Sequence, residues 1–156
     1  MLFDFESDFA GSLRCIPMIV RMKLDLCGIK LTLRQWSRFT HEDRVALTDL
    51  ACSTPSERET YRTRVLALIE ARSEEPVRFL PEETHDDWQR SDRMPDAVTL
   101  QAQADLIAPP TAAQWASLLP LQRFALIKLA RSKHENENFV PAMKEFGLCR
   151  ASTDAG

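Results

Sequence analysis

Chemistry needs nucleophiles, acids, bases or metal ligands that converge, and this chain of 156 residues offers few. Its histidines are His41, His85 and His134, and its cysteines are Cys15, Cys27, Cys52 and Cys149. Nucleophilic catalysis would set a thiol beside an imidazole. Cys15 with His134 is the pair that would serve, and no spacing in the sequence brings the two together. His85-Asp86-Asp87 joins one imidazole to two carboxylates, but successive residues do not converge on one helix or strand face, so no metal is expected there. There is no C-x-x-C pair, G-x-S-x-G, P-loop or G-x-G-x-x-G, and four glycines leave little room for a phosphate cradle. The cysteines read as reduced thiols, packed as small hydrophobes in a cytosolic protein. No cofactor is expected.

Polar punctuation is denser in two stretches. Ser12–Arg21 is an apolar run bracketed by Arg14 and Arg21, and Ser132–Pro141 joins two helical segments. In the second, Asn136 or Asn138 could cap the helix that ends at Phe146-Gly147. The functional reading makes it a recognition loop, with His134, Glu135, Asn136 and Asn138 docking on a partner. Trp36 and Trp115 each follow a capping signal by one turn and are expected in the core. Trp88 lies in an acidic stretch without apolar neighbours and is the better candidate for a contact residue.

The elements that must position these residues are helices. Thr32-x-x-Gln35 and Thr111-x-x-Gln114 are capping boxes, in which the hydroxyl takes an amide and the glutamine reaches back. Thr40 caps a helix with Glu42 and Asp43 in its first turn, and Thr54-Pro55-Ser56-Glu57 combines a cap, a proline and a carboxylate. Pro17 opens a helix that runs to Cys27 and stops at Gly28, and Pro120 opens the counterpart of the Thr40 helix. Phe3, Phe5 and Phe9 belong to an irregular N-terminal arm whose rings plug the bundle.

The two halves also resemble each other. Thr32 to Trp36 aligns with Thr111 to Trp115 at an offset of 79, which continues through Arg44/Arg123, Ala46/Ala125, Leu47/Leu126 and Leu50/Leu129. Between them, residues 74–105 hold nine acidic side chains against Arg78, Arg90 and Arg93, interrupted by Pro76, Pro81 and Pro95. The expected fold is therefore all-α, a compact helical bundle of two pseudo-repeated multi-helix units joined by an acidic linker. It forms a single domain over residues 1–150, with unit one at about 12–73, the linker at about 74–94, unit two at about 95–148 and a frayed tail at 151–156. Hydrophobic residues at 44% exclude disorder, and a net charge of −3 gives no general pull toward nucleic acid or an anionic membrane. No apolar run is long enough to span a bilayer, and the acidic N-terminus is unlike a secretory signal, so a cytoplasmic location is expected.

Both ends carry a resemblance. Phe5-Glu6, Asp8-Phe9, Ser12-Leu13-Arg14-Cys15-Ile16-Pro17-Met18, Lys23-Leu24-Asp25 and Cys27-Gly28-Ile29-Lys30-Leu31 resemble the nitrate reductase associated protein family. So do Pro120 to Leu129, His134-Glu135-Asn136, Asn138-Phe139 and Glu145-Phe146-Gly147-Leu148, while Ser132-Lys133 stands where the family pattern has Pro-Gly. The family has no standard catalytic motif, so no active-site residue is implied. The resemblance implies a small cytoplasmic protein linked to assimilatory nitrate reductase, needed in cyanobacteria for producing the active enzyme. The expected function is a non-enzymatic accessory or maturation factor whose protein partner is nitrate reductase. It would dock by an aromatic and arginine patch around Arg14, Arg21 and the His134 loop. One alternative is a small enzyme using Cys15 or His134. Another is a helix-turn-helix over 32–51 in which Arg34, Arg38 and Arg44 meet phosphate, opposed by Glu42, Asp43 and Asp49.

Overall fold

Four threonines set the helix starts. Thr32, Thr40, Thr54 and Thr111 each accept a hydrogen bond from the amide three residues on, at 3.0–3.1 Å. In return Gln35, Asp43, Glu57 and Gln114 accept from the threonine amides, so all four capping boxes are closed. The computed structural model describes residues 2–6, 13–80 and 87–148. Among these it contains eight α-helices and a strand pair of two residues each. The chain is all-α, and divides into two compact units, residues 1–84 and 85–156.

The first unit opens with a 3-10 turn at Asp4–Glu6, followed by α1 (Met18–Cys27), β1 (Ile29–Lys30), α2 (Leu33–Arg38), α3 (His41–Asp49), α4 (Pro55–Arg72) and β2 (Arg78–Phe79). Pro17 at the start of α1 has no capping side chain, and the buried Glu6 carboxylate supplies the missing acceptor to the Met18 amide at 2.9 Å. Gly28 ends α1 at φ 71°, a left-handed backbone that costs an L side chain about 1–2 kcal/mol. α4 buries Tyr61, Val65, Leu68 and Ile69, a stripe at spacings of four, three and one that faces Val20 and Leu24 of α1. Lys23 reaches from α1 to the end of α3, donating to the Thr48 carbonyl at 2.8 Å and the Leu50 carbonyl at 2.6 Å. Those are carbonyls that the helix itself leaves open, and a cation suits that end of the macrodipole. β1 and β2 pair antiparallel, Ile29 with Phe79 and Lys30 with Arg78.

The second unit runs from a 3-10 turn at Asp87–Gln89 through α5 (Asp96–Ala104), α6 (Ala112–Ser117) and α7 (Pro120–Arg131). A second 3-10 turn, Asn136–Asn138, then leads into α8 (Phe139–Glu145). α7 buries Leu121, Arg123, Phe124, Ala125, Leu126, Ile127 and Leu129, far more than one stripe. A helix covered on most sides is a central one. α5, α8 and the Asp87–Gln89 turn all pack on α7. Trp88 is only 7% exposed and meets Phe124 edge to face, ring centroids 5.7 Å apart. This corrects the expectation of a surface contact residue in the linker: the apolar neighbour of Trp88 lies far along the chain, where local composition does not show it.

Trp36 and Trp115 are buried as expected, at 0% and 1% exposure. Phe3 is buried and stacked on Phe5 at 5.4 Å, in keeping with a plugging arm, while Phe9 lies outside the described residues. Cys27 and Cys52 are buried thiols and Cys15 is half-buried, all three without a disulfide.

Candidate functional site

In the first unit the candidate arginines flank the entry to α1. Leu13 is buried in a left-handed backbone (φ 54°), and its carbonyl accepts both the Trp36 indole N–H at 2.7 Å and Arg44 Nη1 at 3.3 Å. That anchoring fixes the backbone one residue before Arg14, whose side chain is exposed. Arg21 is half-buried, and its Nε donates to the Ile16 carbonyl at 3.0 Å. Arg21 therefore helps to hold the Ile16–Pro17 turn as well as edging the surface.

In the second unit the candidate loop follows α7. The Ser132 hydroxyl accepts the amides of Glu135 at 2.9 Å and His134 at 3.3 Å, closing a tight turn. The Glu135 carbonyl then accepts the Asn138 amide at 2.9 Å, and the fully buried Phe139 nails the far end. His134 is exposed; Glu135, Asn136 and Asn138 are half-buried. Asn138 occupies the cap position of α8, but with helical backbone angles (φ −87°, ψ −1°) and no side-chain capping bond. The expected asparagine cap is absent because the Asn136–Asn138 turn feeds straight into α8. Arg14 and Arg21 thus belong to one unit, and His134, Glu135, Asn136 and Asn138 to the other.

Two charged clefts were not visible from spacing. One, about 150 Å³, is lined by Arg34, Arg38, Arg72, Ser73, Glu74 and Glu75. The other, about 310 Å³, is lined by Arg90, Arg93 and Arg131 with Asp87 and Asp96 at the start of α5. In each, arginines are already partnered. Arg34 lies 3.5 Å from Glu75, Arg131 3.0 Å from Asp87, and Arg90 grips Asp92 at 2.9 Å. These pairs are solvent-exposed and of mixed sign, so each contributes little. No signal short of the folded backbone brings 90, 93 and 131 together.

The arginines of the alternative helix-turn-helix have structural work. Arg44 donates to the carbonyls of Trp36, Leu13 and Ser37 at 3.2, 3.3 and 3.0 Å, leaving Arg38 and the Glu75-paired Arg34 on the outside. Asp43 is turned inward too. Burial disfavours its charge, but the Thr40 amide and hydroxyl and the Arg72 guanidinium hold the carboxyl below the usual carboxylate range. Among the described residues no three His, Cys, Asp or Glu side chains converge as metal ligands, and His85 and Asp86 lie outside them. No helix among the described residues is long and apolar enough to cross a membrane.

Fold and surfaces define a small all-α protein whose candidate residues sit on well-anchored turns. Its sequence matches the model of the conserved nitrate reductase-associated protein family over residues 2–146, and the chain belongs to that family. Nothing among curated proteins or solved structures matches it significantly.

Proposed function

We propose that the protein is a non-enzymatic accessory or maturation factor of assimilatory nitrate reductase, working in the cytoplasm by protein–protein docking. The family's association with nitrate reductase supports the partner. The observation that carries the docking reading is the 132–138 loop. Its backbone is held by Ser132 and Phe139, while His134 projects into solvent and Asn138 has no capping duty. A loop with a rigid frame that presents side chains such as His134 and Asn138 loses little freedom when a partner engages it. Arg14, exposed beside a pinned backbone, offers the same kind of contact in the first unit.

The test pairs stability with function. His134→Ala should change unfolding free energy by no more than about 0.5 kcal/mol, as at an ordinary surface site. The same variant should fail to support nitrate reductase activity and growth on nitrate, and should lose capture of nitrate reductase from nitrate-grown cells. Full activity with His134→Ala returns the loop to a plain connector.

A further inference from the structure

In the first unit two thiols meet inside the core. The sulfurs of Cys27, at the end of α1, and Cys52, between α3 and α4, are 3.8 Å apart and within hydrogen-bonding reach. The residues are 7% and 4% exposed. Cys27 donates to the Arg58 carbonyl at 3.3 Å, and Cys52 points its sulfur at the Lys23 carbonyl, 3.8 Å away. Around them stand three cations: Lys23, Arg58, and Arg62, whose Nη1 donates to the Cys27 carbonyl at 2.6 Å. The buried Arg58 Nε has no hydrogen-bond partner.

We infer that Cys27 and Cys52 are an oxidation site, a dithiol that hydrogen peroxide closes into a reversible disulfide. Their separation is short of a bond, ~2.05 Å, by less than the thickness of an atom. Cys52 lies in a connection outside the helices and can move toward Cys27 without breaking helical hydrogen bonds. Burial pushes the Cys27 thiol up to about 12, and burial raises Cys52 as well. The charges of Lys23 and Arg58 oppose that rise at Cys52, as those of Arg62 and Arg58 do at Cys27, and Cys52, held outside the helices and able to move, is placed as the attacking thiol. The Cys52 thiolate attacks one peroxide oxygen. A sulfur–oxygen bond forms, the oxygen–oxygen bond breaks, and the departing hydroxide takes up the proton that Cys52 released, leaving as water. Cys27 then attacks the sulfenic sulfur; the sulfur–sulfur bond forms, hydroxide leaves, and the Cys27 proton converts it to a second water. Two thiols lose two hydrogens, and the peroxide is reduced to two waters.

The experiment uses the full, reduced chain treated with a small excess of hydrogen peroxide. Remaining thiols are blocked under denaturing conditions, and the peptides are mapped by mass spectrometry. The expected product has lost two hydrogens, carries a Cys27–Cys52 cross-linked peptide, and reverts with dithiothreitol. In Cys27→Ser, which lacks the second thiol, Cys52 should go on to the sulfinic acid; in Cys52→Ser, Cys27 should stay a thiol. Two results overturn the inference: a wild-type chain whose Cys27 and Cys52 both stay reduced while Cys15 or Cys149 oxidises, or one whose Cys52 reaches the sulfinic acid with Cys27 still free.

Discussion

Arg44 in α3 and Arg123 in α7 hold corresponding stations, each reaching back over the short helix before its own. Arg44 donates to Trp36, Ser37 and Leu13 while staying half-exposed, with its guanidinium 5.9 Å from the Trp36 ring. Arg123 donates to Leu118 at 2.6 Å, to Trp88 at 2.9 Å and to Trp115 at 3.5 Å, and is only 5% exposed. Each tryptophan in turn gives its indole N–H to a carbonyl upstream, Leu13 in one unit and Arg90 in the other. One device recurs in two dielectric settings. Where water can replace the arginine it is a convenience; where water is shut out, the carbonyls depend on it. The same grip thus occurs once in each unit.

The largest effects are expected at those two arginines. Arg123→Ala should destabilise the protein by about 3 kcal/mol, because it strips buried carbonyls of their donor. Arg44→Ala should cost about 1 kcal/mol, since water reaches part of the vacated site. Denaturant unfolding of the two variants measures both, and equal losses would end the distinction.

A smaller effect, of opposite sign in the two units, is expected where α1 and α5 end. Gly28 and Leu106 both adopt left-handed backbone, at φ 71° and 59°, but Leu106 is 93% exposed and packs on little. A Cβ on Gly28 would make only an ordinary van der Waals contact, with Arg62 Nη1 at 3.9 Å, so Gly28→Ala meets no clash but the backbone strain and should lose about 1 kcal/mol. Leu106→Gly removes that strain at some entropic cost and should gain about 0.5 kcal/mol. Melting temperatures moving in opposite directions would show it.

The smallest difference is one of acid sensitivity. Asp43 closes the α3 box, whereas in the second unit Gln122, which does not titrate, accepts the Leu119 amide at 2.9 Å. Because the folded Asp43 carboxyl is held below its ordinary range, its contribution is complete above that range and is lost as pH falls through the lowered value. Asp43→Asn should therefore cost about 1 kcal/mol at neutral pH and nearly nothing at strongly acidic pH. Unfolding curves across that window check the sign.

Local chemistry was readable in the sequence, and distant partnership was not. The threonine boxes, the stop at Gly28 and the burial of Trp36 and Trp115 follow from residues within one or two turns, and the structure has all of them. Trp88 was misjudged because Phe124, which covers it, is far along the chain. The strand pair at 29–30 and 78–79 is too short to show a period of two. At the candidate site, the exposure of His134 could be anticipated from its polar surroundings. The grip of Arg21 on the Ile16 carbonyl could not, because a backbone acceptor leaves no trace in residue types.

The arginine grips also bear on the order of events when the chain leaves the ribosome. Arg44 finds Trp36 across eight residues and Ser37 across seven; Arg123 finds Trp115 across eight and Leu118 across five. Their remaining partners, Leu13 and Trp88, lie 31 and 35 residues away. Short loops close in roughly 10–100 ns, far ahead of long ones. Each short helix and its successor can thus be stapled at the corner before the upstream strand of chain arrives, leaving one open hand on the arginine to receive it. A nucleus of this kind has low contact order, the condition under which small helical proteins fold fast.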